Sequence, residues 1–130
     1  MVIGVASTIA FAGAGNAHAQ PVPVPPPGPC NFTLSPPQVV QVAGVDKVTA
    51  TLTPAGCAAP FSPKFGVACV HIQGGEGQCT QSRGLDTAQV YFEPYRAGTT
   101  YVSSGRGCGG VFPDMTDPFC QVLGPVNATL

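Results

Sequence analysis

The side chains in this sequence best able to do chemistry are six cysteines: Cys30, Cys57, Cys69, Cys79, Cys108 and Cys120. An even number of cysteines in a short chain reads as a disulfide framework formed in an oxidising compartment. A zinc site would need clustered ligands, and the sequence has no C-x-x-C pair and only His18 and His71 as histidines. Sequence alone leaves many connectivities open. Hairpin symmetry gives a preference, because facing residues of an antiparallel pair sum to twice the position of the turn centre. Cys30 and Cys57 centre between Ala43 and Gly44, Cys69 and Cys79 on Gly74, and Cys108 and Cys120 on Asp114. The expected pairs are therefore Cys30–Cys57, Cys69–Cys79 and Cys108–Cys120, each stapling its own hairpin or loop.

Catalytic chemistry finds little material. His71 lies mid-strand between Val70 and Ile72, with no G-x-S-x-G turn and no partner acid nearby. Asp114 and Asp117 flank a turn-rich stretch without the ligand density of a calcium loop. The glycine clusters at 74–77 and 105–110 lack the Lys-Ser/Thr of a phosphate loop, and both read as tight turns. No catalytic, cofactor-binding or metal residue is expected.

The elements that must carry the cysteines are strands. Residues 47–53 alternate polar and apolar, turning Val48, Ala50 and Leu52 inward. Residues 39–42 precede them across Ala43-Gly44, a tight-turn pair. Residues 65–72 are apolar on both faces, as in a central strand, and 88–92 alternate again. Residues 99–102 are rich in β-formers, and 120–123 and 126–129 read as two strands split by Gly124-Pro125. No window keeps a helical period, and prolines punctuate the gaps. An all-β, antiparallel, immunoglobulin-like β-sandwich is expected over residues 30–130. Tyr101, just after the Gly98 turn, is placed for a tyrosine corner, in which the phenol bonds back to upstream backbone.

The chain begins with an uncharged apolar run that closes on Ala17-His18-Ala19, a pattern signal peptidase cuts. Residues 1–19 are read as a secretory signal peptide and residues 20–29, with six prolines, as a Pro-rich spacer in polyproline II. The eleven charged side chains are scattered, with a formal net charge of −1, so nucleic acid is disfavoured as a partner. A secreted monomer, extracellular or cell-wall associated and off the membrane after cleavage, is the expectation.

The Ala/Pro/Gly/Val-rich export style resembles small secreted actinobacterial proteins of the mycobacterial type. The C-x9-C spacing of Cys69 and Cys79, together with Val42-Ala43-Gly44, resembles the neocarzinostatin-type apoproteins over about a third of the chain. That resemblance implies an immunoglobulin-like sandwich with a ligand cleft beside a hairpin disulfide. The leading expectation is a non-enzymatic extracellular binding module whose partner is an unknown extracellular protein. The alternatives are a carrier of a small apolar ligand, marked by aromatics converging on one cleft, and a secreted protease inhibitor presenting residues 105–119 as an exposed loop.

Overall fold

A computed structural model describes residues 22–113 and 118–130. The expected signal peptide, the first two positions of the Pro-rich stretch and the Asp114–Asp117 segment lie outside the described residues. Eight strands follow in order: β1 (Cys30–Leu34), β2 (Gln38–Val42), β3 (Val45–Cys57), β4 (Phe61–Ile72), β5 (Gly77–Arg83), β6 (Ala88–Phe92), β7 (Thr100–Val111) and β8 (Phe119–Thr129). All pairings are antiparallel, and they build two sheets packed as a sandwich. One sheet is centred on β3, and the other runs β5-β4-β7-β8.

The first sheet uses β3 twice along one edge. β2 pairs with Val45–Thr49 and β1 with Leu52–Cys57, while β6 pairs with Val48–Leu52. Because β6 shares partners with both, β1 and β2 must lie end to end on the opposite edge of β3. Pro36 and Pro37 separate them, having no N–H to give a ladder. Ala43 and Gly44 both take positive φ, 53° and 81°, giving the two-residue turn whose twist suits a hairpin. Val48, Ala50 and Leu52 point into the core as their alternation requires, and all three are buried. Val48 and Leu52 each contribute roughly 1.5–3 kcal/mol by leaving water, and the single Ala50 methyl about 0.8 kcal/mol.

The three disulfides join residues that face each other directly across neighbouring strands: Cys30 and Cys57, Cys69 and Cys79, Cys108 and Cys120. No described cysteine is free.

Two sequence readings need correction. The glycines at 105, 107 and 109 are not in a turn; they alternate along the inner face of β7. Each leaves the space a Cβ would fill for a side chain of the facing sheet: Leu52 over Gly105, the Phe32 ring over Gly107, and Cys30 Sγ over Gly109. Gly66 of β4 gives way to Leu52 in the same manner. The glycine column therefore lets two sheets approach where β1 crosses β7, and the loop expected over 105–119 shrinks to the residues after Val111. The second correction concerns 120–129. Gly124, at φ 84°, and Pro125 do not end a strand but form a bulge opposite Ser104, so β8 is continuous.

Tyr101 closes the bottom of the core. It is fully buried, meets Phe92 edge-on at 6.1 Å, and lies 6.4 Å from Tyr95. Its hydroxyl accepts from the Arg96 amide at 2.9 Å and donates to the Pro94 carbonyl at 3.4 Å. This is the tyrosine-corner arrangement. Tyr101→Phe should leave the Arg96 amide without its acceptor and cost about 1–2 kcal/mol in urea denaturation.

Candidate functional site

Strand register decides which side chains the β5-β4-β7-β8 sheet turns outward. Gly66, Ala68 and Val70 face the core, so Phe65, Val67, Cys69 and His71 face out. Pairing carries the same parity to Cys79, Gln81 and Arg83 on β5 and to Val102, Ser104, Arg106 and Cys108 on β7. On β8 it selects Cys120 and Val122. Facing side chains in such rows stand about 4.5–5.5 Å apart at Cβ. One row therefore reads Arg83, Phe65, Cys108, Cys120, and the next Gln81, Val67, Arg106, Val122.

Among the described residues, this face combines two properties. Two of the three disulfides lie on it, one bridging β4 to β5 and one bridging β7 to β8, so both strand pairs are covalently fixed. Phe65 and Val67 lie on β4 with Arg83 beside Phe65 on β5, and Arg106 stands between Val67 and Val122, the last 69% exposed. The Arg106 guanidinium lies 3.4 Å from Cys120 Sγ, which holds it beside the disulfide. Lys64, Phe65, Gln81 and Arg83 surround a shallow depression of about 330 Å³. No described acidic residue belongs to these rows; Glu76 and Asp86 lie in the turns at either end of β5.

A second feature stands at the side of the sandwich where β1 meets β8. Residues 22–29 form no strand, yet they do not stand clear of the domain as a spacer would. The Gln121 side chain, buried between the sheets, accepts from the Phe32 amide at 2.8 Å. Its amide nitrogen donates to the Pro26 carbonyl and to Asn31 Oδ1, each at 3.2 Å. Asn31 in turn accepts from the Gly28 amide and donates to the Gly28 carbonyl. Polyproline II has no internal hydrogen bonds, so its carbonyls are available to such a clasp. Shallow grooves flank the segment, of about 280 Å³ against Phe32, Leu34 and Leu123, and about 370 Å³ against Phe119 and Val122.

The aromatics do not converge. Phe32, Phe92 and Tyr101 fill the core, and Phe61 and Tyr95 pack against it. Tyr91 is on the outer face of the β3 sheet, Phe112 projects 74% exposed after β7, and Phe65 is on the opposite sheet. Each groove holds a single aromatic ring.

His71 is half-buried on the outer face between Gly77 and Val102, with no acid paired to it in the register. Among the described residues no group of His, Cys, Asp and Glu is placed to hold a metal ion. No described helix is long and apolar enough to cross a membrane. The residues that sequence reading missed are Arg83, Arg106 and Val122. Their common signal was available only as register: each sits an even number of positions from a cysteine of its own strand.

No protein-family profile matches this chain, and neither does any curated protein or solved structure.

Proposed function

We propose that the protein is a non-enzymatic extracellular interaction module that presents the outer face of β5-β4-β7-β8 to a partner protein. The observation that carries this reading is the pairing of rigidity with exposure: two disulfides fix the strands under Phe65, Val67, Val122, Arg83 and Arg106. A preorganised face loses little entropy on binding, and arginine is among the residues enriched in binding hot spots. The two arginines favour an acidic rim on the partner. An extracellular setting fits the same features, since disulfides of this kind persist where the medium is oxidising.

The proposal takes the immunoglobulin-like class as its architecture. With β1 and β2 together as the first strand, the sheets hold first, second and fifth against the remaining four, and Tyr101 makes the corner bond. The likeness to neocarzinostatin-type apoproteins and to small actinobacterial exports enters here as architecture, through the β4–β5 hairpin closed by Cys69–Cys79. A carrier of a small apolar ligand would gather several aromatics at one cleft, and their dispersal favours the partner-binding reading. An inhibitor loop over 105–119 has lost its support, because β7 occupies Thr100–Val111.

The test compares wild-type protein with R83E/R106E for binding to the envelope and secreted fractions of its own producer. At least a tenfold loss of affinity, with wild-type binding weakened by added salt, is expected. Equal binding by the two proteins would discard the face as the site.

A further inference from the structure

A β-sandwich has four lateral edges; here those along β5, β6 and β8 are obstructed, and so is the β1 half of the fourth. β1 is backed by the Pro-rich segment through Gln121, while β8 is bulged at Gly124-Pro125 and flanked by Pro25–Pro27. β5 and β6 lie against each other on the far side. β2 packs chiefly against β3.

The chemistry of β2 suits it to pairing. Gln38-Val39-Val40-Gln41-Val42 has no charge, no proline, no glycine and no break in register with β3. Native edges ordinarily carry such features as protection against strand addition. The two-residue turn at Ala43-Gly44 makes Val42 and Val45 the closing hydrogen-bonded pair. Counting back, Gln38, Val40 and Val42 spend their amides and carbonyls on β3. Val39 and Gln41 direct theirs to the open side, and no described group bonds to them there. Val39 is 41% exposed and Val45, at the hairpin end, 48%.

We propose that β2 pairs with β2 of a second copy of this chain, antiparallel about a two-fold axis through Val40. In that register Val39 faces Gln41 of the second copy, Gln41 faces its Val39, and the two Val40 side chains meet. All five residues of the strand are used, and four main-chain hydrogen bonds form from groups otherwise left to water. The β3 sheets become one continuous sheet across the axis. Because the axis stands perpendicular to that sheet, both β5-β4-β7-β8 faces point the same way. A self-complementary segment needs no other partner, and an isologous contact closes at two copies. The proposal replaces the monomer expected from sequence, and it does not depend on what the outer face binds.

The decisive experiment is sedimentation equilibrium on the processed, oxidised protein and three variants. Wild type should show a concentration-dependent dimer. V40K and V40E, each placing like charges opposite one another, should each weaken it at least tenfold. An equimolar mixture of V40K and V40E should restore the dimer as a heterodimer, an outcome that misfolded protein could not give. V39P removes one outward amide without touching the β3 ladder, and should weaken association as well. A wild type that stays monomeric at millimolar concentration would overturn the proposal. So would dimerisation of V40K equal to wild type, or a charge mixture that remains monomeric.

Discussion

Gly107→Ala is expected to destabilise the protein by about 3 kcal/mol or more, at the upper end for overpacking substitutions in a core. A Cβ on Gly107 would clash with the Phe32 ring, in the middle of β7 where neither sheet can yield without disturbing its ladder. Thermal unfolding of the oxidised protein measures the loss. The cause is separable from a general intolerance of β7 by a double-mutant cycle. Phe32→Ala alone should cost about 3–5 kcal/mol, as for other buried aromatic truncations. Combined, the two changes should cost less than their sum by about 1–3 kcal/mol, since the added methyl then occupies space the ring has vacated. Strict additivity would show that the glycine serves the backbone of β7 and not the seat of Phe32.

The second large effect is expected at the Cys30–Cys57 bridge. Its sequence separation of 27 is the widest of the three, against 10 and 12. Loop-closure entropy then ranks it first, at about 3.5 kcal/mol against somewhat under 3 for each of the others. Burial adds to the ranking, because Cys30 is fully enclosed with its sulfur against Gly109. C30A/C57A should therefore lose more stability than C69A/C79A or C108A/C120A, each compared by guanidinium unfolding. An equal loss from all three pairs would mean that the constraint on the unfolded chain is not what orders them.

These two sites also mark where the sequence was and was not legible. The alternation of 47–53, the Ala43-Gly44 turn and the symmetric spacing of the cysteines are local signals, and local geometry governs them. The glycines of β7 carry a local signal for turns, because glycine lacks the side chain that gives strands their propensity. Their purpose is set by Phe32, Leu52 and Cys30, which come from the other sheet. The Gly124-Pro125 bulge misleads for a similar reason, since both residues ordinarily punctuate. The Pro-rich stretch reads as a spacer by composition, and only Gln121, far along the chain, reveals a fixed position. Arg83, Arg106 and Val122 become a group only once four strands are in register. What a residue does with its immediate neighbours was readable; what it does with the opposite sheet was not.

The seat of β1 has a consequence in time as well as in energy. Phe32 rests on Gly107, and the Phe32 amide is satisfied by Gln121, so the first strand of the chain is completed by the last two. Contacts of such long sequence separation form late and slow the folding of sandwiches. A chain emerging N-terminus first would carry β1 unseated, with Phe32 bare, until β7 and β8 had followed. The earliest of the eight strands is then the final one to gain protection, and the span between those two moments is when the chain is most open to aggregation, proteolysis and capture by a chaperone.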